Sequence, residues 1–319
     1  MAGVWVFAEN YDYCLELLQI GRSLADKTGV QLTAFACGDK GIGQQYIYYG
    51  ADQVFILPPL AEDQPLGTYV PAIVEAARQE DPDIILYAAT LRGKEIAARV
   101  AAGLNTGLCS ECIALAINND NKLEMKRVIY GGAAMQTLTC KTRPQMATIP
   151  PHTFTPVTEL DDTRSGIIKE IGPISSTPVK VLAKKPRAKE SGDITRSRVL
   201  VCVGRGVEKE EDLKLAGDLA ETLGGDLACT RPIAEELHWM PQETYIGLSG
   251  QKVKPELYIG LGISGQIQHT TGIRDARVIC SINKDEDAPI FKISDYGIVG
   301  DLYEVVPFLS QELARLKKK

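Results

Sequence analysis

The chain has 319 residues, of which 45% are hydrophobic and 24% charged, with a formal net charge of -6. That length suffices for two domains with separate cores, and the mildly acidic balance gives no electrostatic reason to bind nucleic acid or an anionic membrane surface. No apolar run approaches the ~18 residues needed to span a bilayer, and the opening MAGVWVFAEN lacks a basic n-region, so a cytoplasmic protein without a signal or transit peptide is expected.

The first half alternates short β-rich runs with helical stretches. VWVFAE (4–9), LTAFACG (32–38), QVFILP (53–58) and DIILYAA (83–89) are continuously apolar, as strands buried on both faces are. Between them, CLELLQIGRSLADKTG and GKEIAARVAAGLN carry apolar residues at helical spacing and close on glycine. This alternation predicts an α/β domain with a mainly parallel sheet. From about 108 to 180 the pattern loosens into strand-like runs such as LEMKRVIYGG, with few polar groups able to do chemistry.

Residues 180–198, KVLAKKPRAKESGDITRSR, are polar, basic and interrupted by Pro186 and Gly192. KKPRAK could be read as a nuclear signal, but a solvated linker fits this composition better. The domain boundary is therefore placed here, giving an N-terminal α/β domain over 1–190 and a C-terminal doubly wound domain over 191–319. In the second domain RVLVCVG, DLACTRP, ELYIGLG, RVICSIN and APIFKIS read as strands. The helix EKEEDLKLAGDLAETLGG places Leu213, Ala216, Ala220 and Leu223 on one face and ends at Gly224–Gly225. DLYEVVPFLSQELARLKKK reads as a closing helix whose lysines suit its C-terminus.

Of the 8 cysteines only Cys109 and Cys112 form a C-x-x-C. No second pair or nearby histidine completes a zinc or iron–sulfur pattern, so reduced, structural thiols and no metal are expected. His152 and His238 have no partner evident in the sequence and read as structural.

In open α/β sheets, ligands bind outside the carboxyl ends of the strands. In the second domain those ends carry Gly204-Arg205-Gly206, Thr230-Arg231-Pro232, Ser264 through His269, and Ile282 through Asp285, with the loop Ile246 through Gly250 before the third strand. Glycine lets backbone approach a pyrophosphate, successive N–H groups make an anion nest, and arginine supplies a permanent forked donor. Asn283 and Asp301 suit adenine or ribose edges. The set outlines a nucleotide site.

Gly260, Gly262 and Gly265 spell G-x-G-x-x-G after an apolar run. A dinucleotide fingerprint also needs a real helix after the third glycine. Only QIQHTTGIRDA separates Gly265 from the next strand, and the motif lies in the third strand of its domain. That weighs against a nicotinamide oxidoreductase, and no general-base dyad or nucleophile–base pair suggests substrate chemistry. A non-redox nucleotide-binding module remains a further reading of the first domain's sheet.

LYIGLGISGQIQHTTG, followed after six residues by VICSIN and then KDEDAPIFKISDYGIVGDLYEVVP, together with VGRG and the TRP segment, resembles the signature of the electron-transfer flavoprotein alpha subunit. The resemblance is strong over roughly 195–319 and weaker over the first half. It implies FAD as cofactor, held in the C-terminal domain. Arg205 would approach the pyrophosphate and ribityl chain, and Thr230 with Arg231 would lie beside the isoalloxazine. Ile246, Gly247, Leu248 and Ser249 would line the flavin edge. Ser264, Gly265, Gln266, Ile267, Gln268 and His269 would wrap the pyrophosphate, with His269 brought towards the pyrimidine side of the ring. Asn283, Asp301 and Leu302 would hold the adenosine end.

The resemblance further implies a redox carrier with no bond-making active site of its own, in which the flavin does the electron chemistry and the protein tunes it. Arg231, and His269 if protonated or donating, would favour the negative charge of the reduced ring. The implied partners are a beta subunit, forming a heterodimer with the first domain as its base, and dehydrogenases of the acyl-CoA dehydrogenase type. Rotation of the FAD domain about the 180–198 connection would gate electron exchange. The beta subunit would carry AMP in a simple carrier or a second FAD in an NADH-driven bifurcating member, and the sequence leaves both open. The family often has glutamine at the place of Leu248 and threonine at that of Ser249; Gly260 and Ser281 also replace commoner small residues. The hydroxyl at 249 survives, whereas Leu248 removes a polar contact near the ring.

Overall fold

In the computed structural model, which describes residues 3–38, 40–172, 179–184 and 193–316, the chain divides into two compact units, Met1–Lys185 and Pro186–Lys319. Of the linker expected at 180–198, residues 185–192 lie outside the described residues.

The first unit is built on a seven-stranded parallel sheet. Its strands in chain order are β1 (Gly3–Phe7), β2 (Gln31–Cys37), β3 (Gln53–Leu57), β4 (Ile84–Ala88), β5 (Leu108–Cys109), β9 (Gln145–Ile149) and β10 (Ile167–Glu170), and their spatial order is β10-β3-β2-β1-β4-β9-β5. β1 and β4 are buried at every residue, because helices cover both faces. Helices α1 (Tyr11–Thr28) and α2 (Lys40–Tyr48) pack on one face, and α3 (Val70–Glu80) with α4 (Leu91–Leu104) on the other. Asn10 starts α1 by accepting from the N–H groups of Asp12 and Tyr13, and Gly29 ends it at φ 67, as capping chemistry requires. The C-terminal residue of α4 is followed by Asn105 in the left-handed region rather than by a glycine.

The stretch that looked loose in sequence contains an antiparallel meander of β6 (Cys112–Ile117), β7 (Leu123–Ile129) and β8 (Ala134–Thr139). β8 alternates between exposed and half-buried positions, so it lacks the continuous apolar run that marks the core strands. β10 lies beside β3 at the far edge of the sheet, with all four residues exposed, and leaves little hydrophobic signal.

The second unit is a five-stranded parallel sheet: β11 (Val199–Val203), β12 (Asp226–Cys229), β13 (Leu257–Leu261), β14 (Ile279–Asn283) and β15 (Tyr296–Val299), in the order β12-β11-β13-β14-β15. Helix α5 (Leu213–Leu223) packs Ala216, Leu219 and Ala220 against Val201, Val203 and Ile259, and the closing helix α7 (Leu302–Leu316) adds Val306 to that core. The short helix α6 (Ile267–Thr270) follows β13. The molecule is thus an α/β protein with a mostly parallel first domain and a doubly wound second domain. Among the described residues no helix is long and apolar enough to cross a membrane.

One expected strand is corrected. APIFKIS is not extended: Pro289–Ile293 is a 3-10 helix, and β15 comes after it. Pro289 has no N–H for a ladder and its fixed φ suits a first helical position. The Ile290 N–H instead bonds the Ser264 carbonyl at 3.0 Å, tying this turn to the loop after β13.

Candidate functional site

Because all five strands of the second unit run parallel, their carboxyl ends share one edge. The chain leaves β11 and β13 towards opposite sides at the point where the strand order reverses, which is where such sheets open a crevice. Glycine lines it. The Gly206 N–H donates to the Gly262 carbonyl at 3.0 Å, and Gly204 N–H to Leu261 O at 2.9 Å. A Cβ on Gly206 would stand 2.5 Å from Gly262 Cα, so only two facing glycines allow this approach. Gly262 also takes φ +61, a conformation that costs L-residues ~1–2 kcal/mol.

These contacts settle what the G-x-G-x-x-G does. Gly262 serves backbone packing against Gly206, and Gly265, at φ +83, fits against Ile290, whose nitrogen would lie 2.2 Å from an added Cβ. The helix after the third glycine has four residues. It lacks the length of a dinucleotide-fold helix.

The backbone beyond Gly262 carries unpaired donors. Among the described residues the N–H groups of Ser264, Gly265 and Gln266 have no acceptor, and neither does the exposed guanidinium of Arg205 on the adjacent strand tip. Three successive free N–H groups beside a permanent cation suit an anion with several oxygens. A small cleft of about 50 Å³ continues along the tips, lined by Gly206, Gly262, Asn283, Gly300, Asp301, Leu302 and neighbours. That volume is far below the ~300–1,000 Å³ of an engulfing ligand pocket, so an extended ligand would lie along an open edge. A larger depression of about 500 Å³ touches only Lys209, Glu210 and Glu211 and gathers no convergent chemistry.

The Ile246–Ser249 loop is held from two sides. Ile246 N–H bonds Cys229 O at 2.9 Å, and Leu248 N–H bonds Gln268 O at 2.7 Å. Leu248 and Ser249 are exposed, with the Ser249 hydroxyl accepting from Tyr245 at 3.1 Å. Thr230 is buried at the end of β12. Arg231 is exposed and pairs with Glu235 one turn on, an arrangement that exposed ion pairs hold only weakly. Gln266, Ile267 and Gln268 are exposed. Asn283 is occupied in shaping the edge, donating to Ile263 O at 2.9 Å and accepting from Asp285 N–H at 3.0 Å. Asp301 starts α7, accepting from Tyr303 N–H at 2.8 Å, and Leu302 is buried behind it.

His269 departs from the expected role. Its ring is buried, with Nδ1 3.1 Å from the Ile246 carbonyl and Nε2 2.7 Å from the Tyr258 hydroxyl. A carbonyl can only accept, so Nδ1 carries the proton and Nε2 accepts from Tyr258. Burial pushes the imidazole pKa down to about 4, against the opposing hydrogen bond to Ile246, so the ring is neutral at pH 7. The resulting chain, Tyr258 to His269 to Ile246, leaves no ring donor for a flavin; it anchors the 246–249 loop. Tyr258 was not singled out from the sequence, where it reads as one more apolar strand residue.

His152 has a partner as well. Its N–H donates to the buried Glu16 carboxylate at 2.8 Å and its ring packs edge-on against Tyr13. Among the described residues no group of three or more His, Cys, Asp or Glu side chains could hold a metal ion.

Comparison with known proteins follows this division. Residues 4–185 match the family described as "Electron transfer flavoprotein domain", and 193–274 match "Electron transfer flavoprotein FAD-binding domain". The chain belongs to the electron-transfer flavoprotein alpha subunit family. It is 36% identical to "Electron transfer flavoprotein subunit alpha" of Thermoanaerobacterium thermosaccharolyticum over 98% of both chains. Against "Protein FixB" of Clostridium saccharobutylicum the identity is 39% over 96% of this chain and 95% of that one. "Protein FixB" of Escherichia coli O127:H6 is 36% identical over 98% of both. Family membership supports flavin binding by the second unit, where the free donors and facing glycines lie.

Proposed function

We propose that this chain is the FAD-carrying alpha subunit of a heterodimeric cytoplasmic electron carrier, taking electrons from dehydrogenases of the acyl-CoA dehydrogenase type and passing them on. The observation that carries the reading is the run of free N–H groups at Ser264, Gly265 and Gln266 beside the unpartnered Arg205, at a crevice walled by Gly206 and Gly262. The donor set fits a pyrophosphate: it is cationic, backbone-rich and open to an extended ligand.

Residues 264–266 and Arg205 would hold the pyrophosphate; Asn283, Asp301 and Leu302 would border the adenosine. Thr230, Arg231 and the loop Ile246, Gly247, Leu248 and Ser249 would border the ring, with Ile267 and Gln268 flanking it. When bound, the flavin supplies one- and two-electron redox chemistry. Arg231 would supply a positive charge on the ring's side once it leaves Glu235, and Ser249 would offer a hydroxyl. His269 acts through Ile246, by fixing where the loop lies.

A beta subunit completes the heterodimer. NADH-driven bifurcation needs a second flavin there, so cofactor analysis of the purified heterodimer separates the two forms: one FAD with AMP for a simple carrier, two FAD for a bifurcating one. A heterodimer that neither contains nor takes up flavin would overturn the proposal.

A further inference from the structure

The flavin reading leaves the paired cysteines unused. β5 ends at Cys109 and β6 begins at Cys112. Between them Glu111 takes φ +56, a left-handed bend that folds the two cysteines towards each other. Cys112 is fully buried and Cys109 is 4% exposed. The Cys112 thiol lies 3.6 Å from the Cys109 carbonyl.

The surroundings favour a thiolate at one of the two. Arg127 stands opposite Cys112 across the antiparallel β6–β7 pair, and its positive charge favours a thiolate at Cys109. Its buried Nε has no hydrogen-bond partner among the described residues. The acid at the turn is turned to other work: Glu111 pairs with Lys94 at 3.0 Å, and its N–H donates to Thr148. Cys140, after β8, is a third thiol nearby, 3.8 Å from the Gly107 carbonyl. The neighbouring Cys112 thiol and then the charge of Arg127 outweigh burial and lower the Cys109 thiol pKa, while that of Cys112 is pushed up. A low-pKa thiol beside a second thiol is the arrangement of a redox-sensing pair.

We propose that Cys109 and Cys112 form a redox-active dithiol, with Cys109 the nucleophile, Cys112 the resolving thiol and a hydroperoxide the oxidant. The Cys109 thiolate attacks one peroxide oxygen; the O–O bond breaks, hydroxide or alkoxide leaves, and Cys109 becomes a sulfenic acid. The Cys112 sulfur then attacks the Cys109 sulfur; the S–O bond breaks, and the sulfenic hydroxyl leaves with the Cys112 proton as water. Two electrons pass from the thiol pair to the peroxide. The small exposure of Cys109 suits an oxidant of this size.

The test uses the full-length native chain and hydrogen peroxide, followed by alkylation of the remaining thiols, trypsin and mass spectrometry. Both cysteines fall in one tryptic peptide, residues 100–122, with no other cysteine. That peptide is expected to become two hydrogens lighter and unavailable to alkylation, at least tenfold faster than the fully buried Cys14 and Cys202 become oxidised. Cys112→Ser is expected to stop at a Cys109 sulfenic acid trapped by dimedone, and Cys109→Ser to leave Cys112 unreacted. The first measurement needs no variant, so a misfolded mutant does not blunt it. Full alkylation of both cysteines after peroxide, or oxidation no faster than at Cys14 and Cys202, would overturn the proposal.

Discussion

Replacing Tyr258 by phenylalanine removes the hydroxyl on which the buried His269 ring depends. His269 Nε2 loses its donor at 2.7 Å. An unsatisfied buried acceptor costs ~1–3 kcal/mol. The expected loss is therefore ~1–3 kcal/mol, or a melting point lower by roughly 4–10 °C if the second unit melts by itself. A pH signature accompanies it. In the wild type the folded imidazole titrates at about 4, below its ordinary ~6.5. The unfolded chain therefore takes up the proton first, and stability present above pH ~6.5 is lost as pH falls towards 4, by at most ~3 kcal/mol. Without the tyrosine donor, which favours the neutral ring, the folded pKa moves up and that window narrows. Urea midpoints between pH 4 and 8 measure the stability, and nitrogen-15 NMR of the histidines reports which ring nitrogen holds the proton. A wild-type His269 protonated on Nε2, or titrating near 6.5, would refute the chain of donors, as would a Tyr258→Phe variant of unchanged stability.

Gly262→Ala forces a Cβ to 2.6 Å from Gly206 Cα at a positive φ, and is expected to lower flavin content of the purified heterodimer by tenfold or more, measured by absorbance against protein. Asp52 is half-buried between Arg22 at 2.7 Å, Arg164 at 2.6 Å and the Leu32 N–H at 2.8 Å; burial opposes its charge, but these donors outweigh it and hold its pKa down. Its contribution is thus present above the unfolded carboxylate pKa and lost as pH falls through the folded one. Asp52→Asn should cost the first unit ~1–3 kcal/mol at pH 7 and progressively less as pH falls through the folded value, read from urea midpoints. Glu16 shifts the other way: burial raises its pKa against the N–H groups of residues 152–154, so its stabilising effect is full in acid and lost as pH rises through the folded value. Glu16→Gln should flatten the pH dependence of first-unit melting between pH 4 and 7, checked by thermal scans.

The strands most legible in the sequence were those covered on both faces. The apolar runs of β1 to β4 leave few other structures open, and the helix at 213–223 declared itself through Leu213, Ala216, Ala220, Leu223 and its closing glycine. β8 and β10 did not, since half-covered or edge strands need no continuous apolar run. APIFKIS misled because its apolar residues face the loop after β13 from a 3-10 turn rather than a sheet. For the site, parallel topology alone brought Arg205, Thr230, Ser264 and Asn283 to one edge. What the sequence could not show is direction: His269 turns inward to Tyr258, and Arg231 lies along its own turn to Glu235. Those choices depend on burial and on neighbours distant in sequence.

The most direct test of the account is equilibrium binding of FAD to the flavin-depleted heterodimer, repeated with Arg205→Ala and with riboflavin, which has no pyrophosphate. Loss of a charged hydrogen-bond donor to the pyrophosphate should weaken FAD about tenfold or more while leaving riboflavin affinity unchanged. No uptake of FAD, or equal effects of the substitution on both flavins, would contradict the assignment of the Arg205 and Ser264–Gln266 donors to the cofactor.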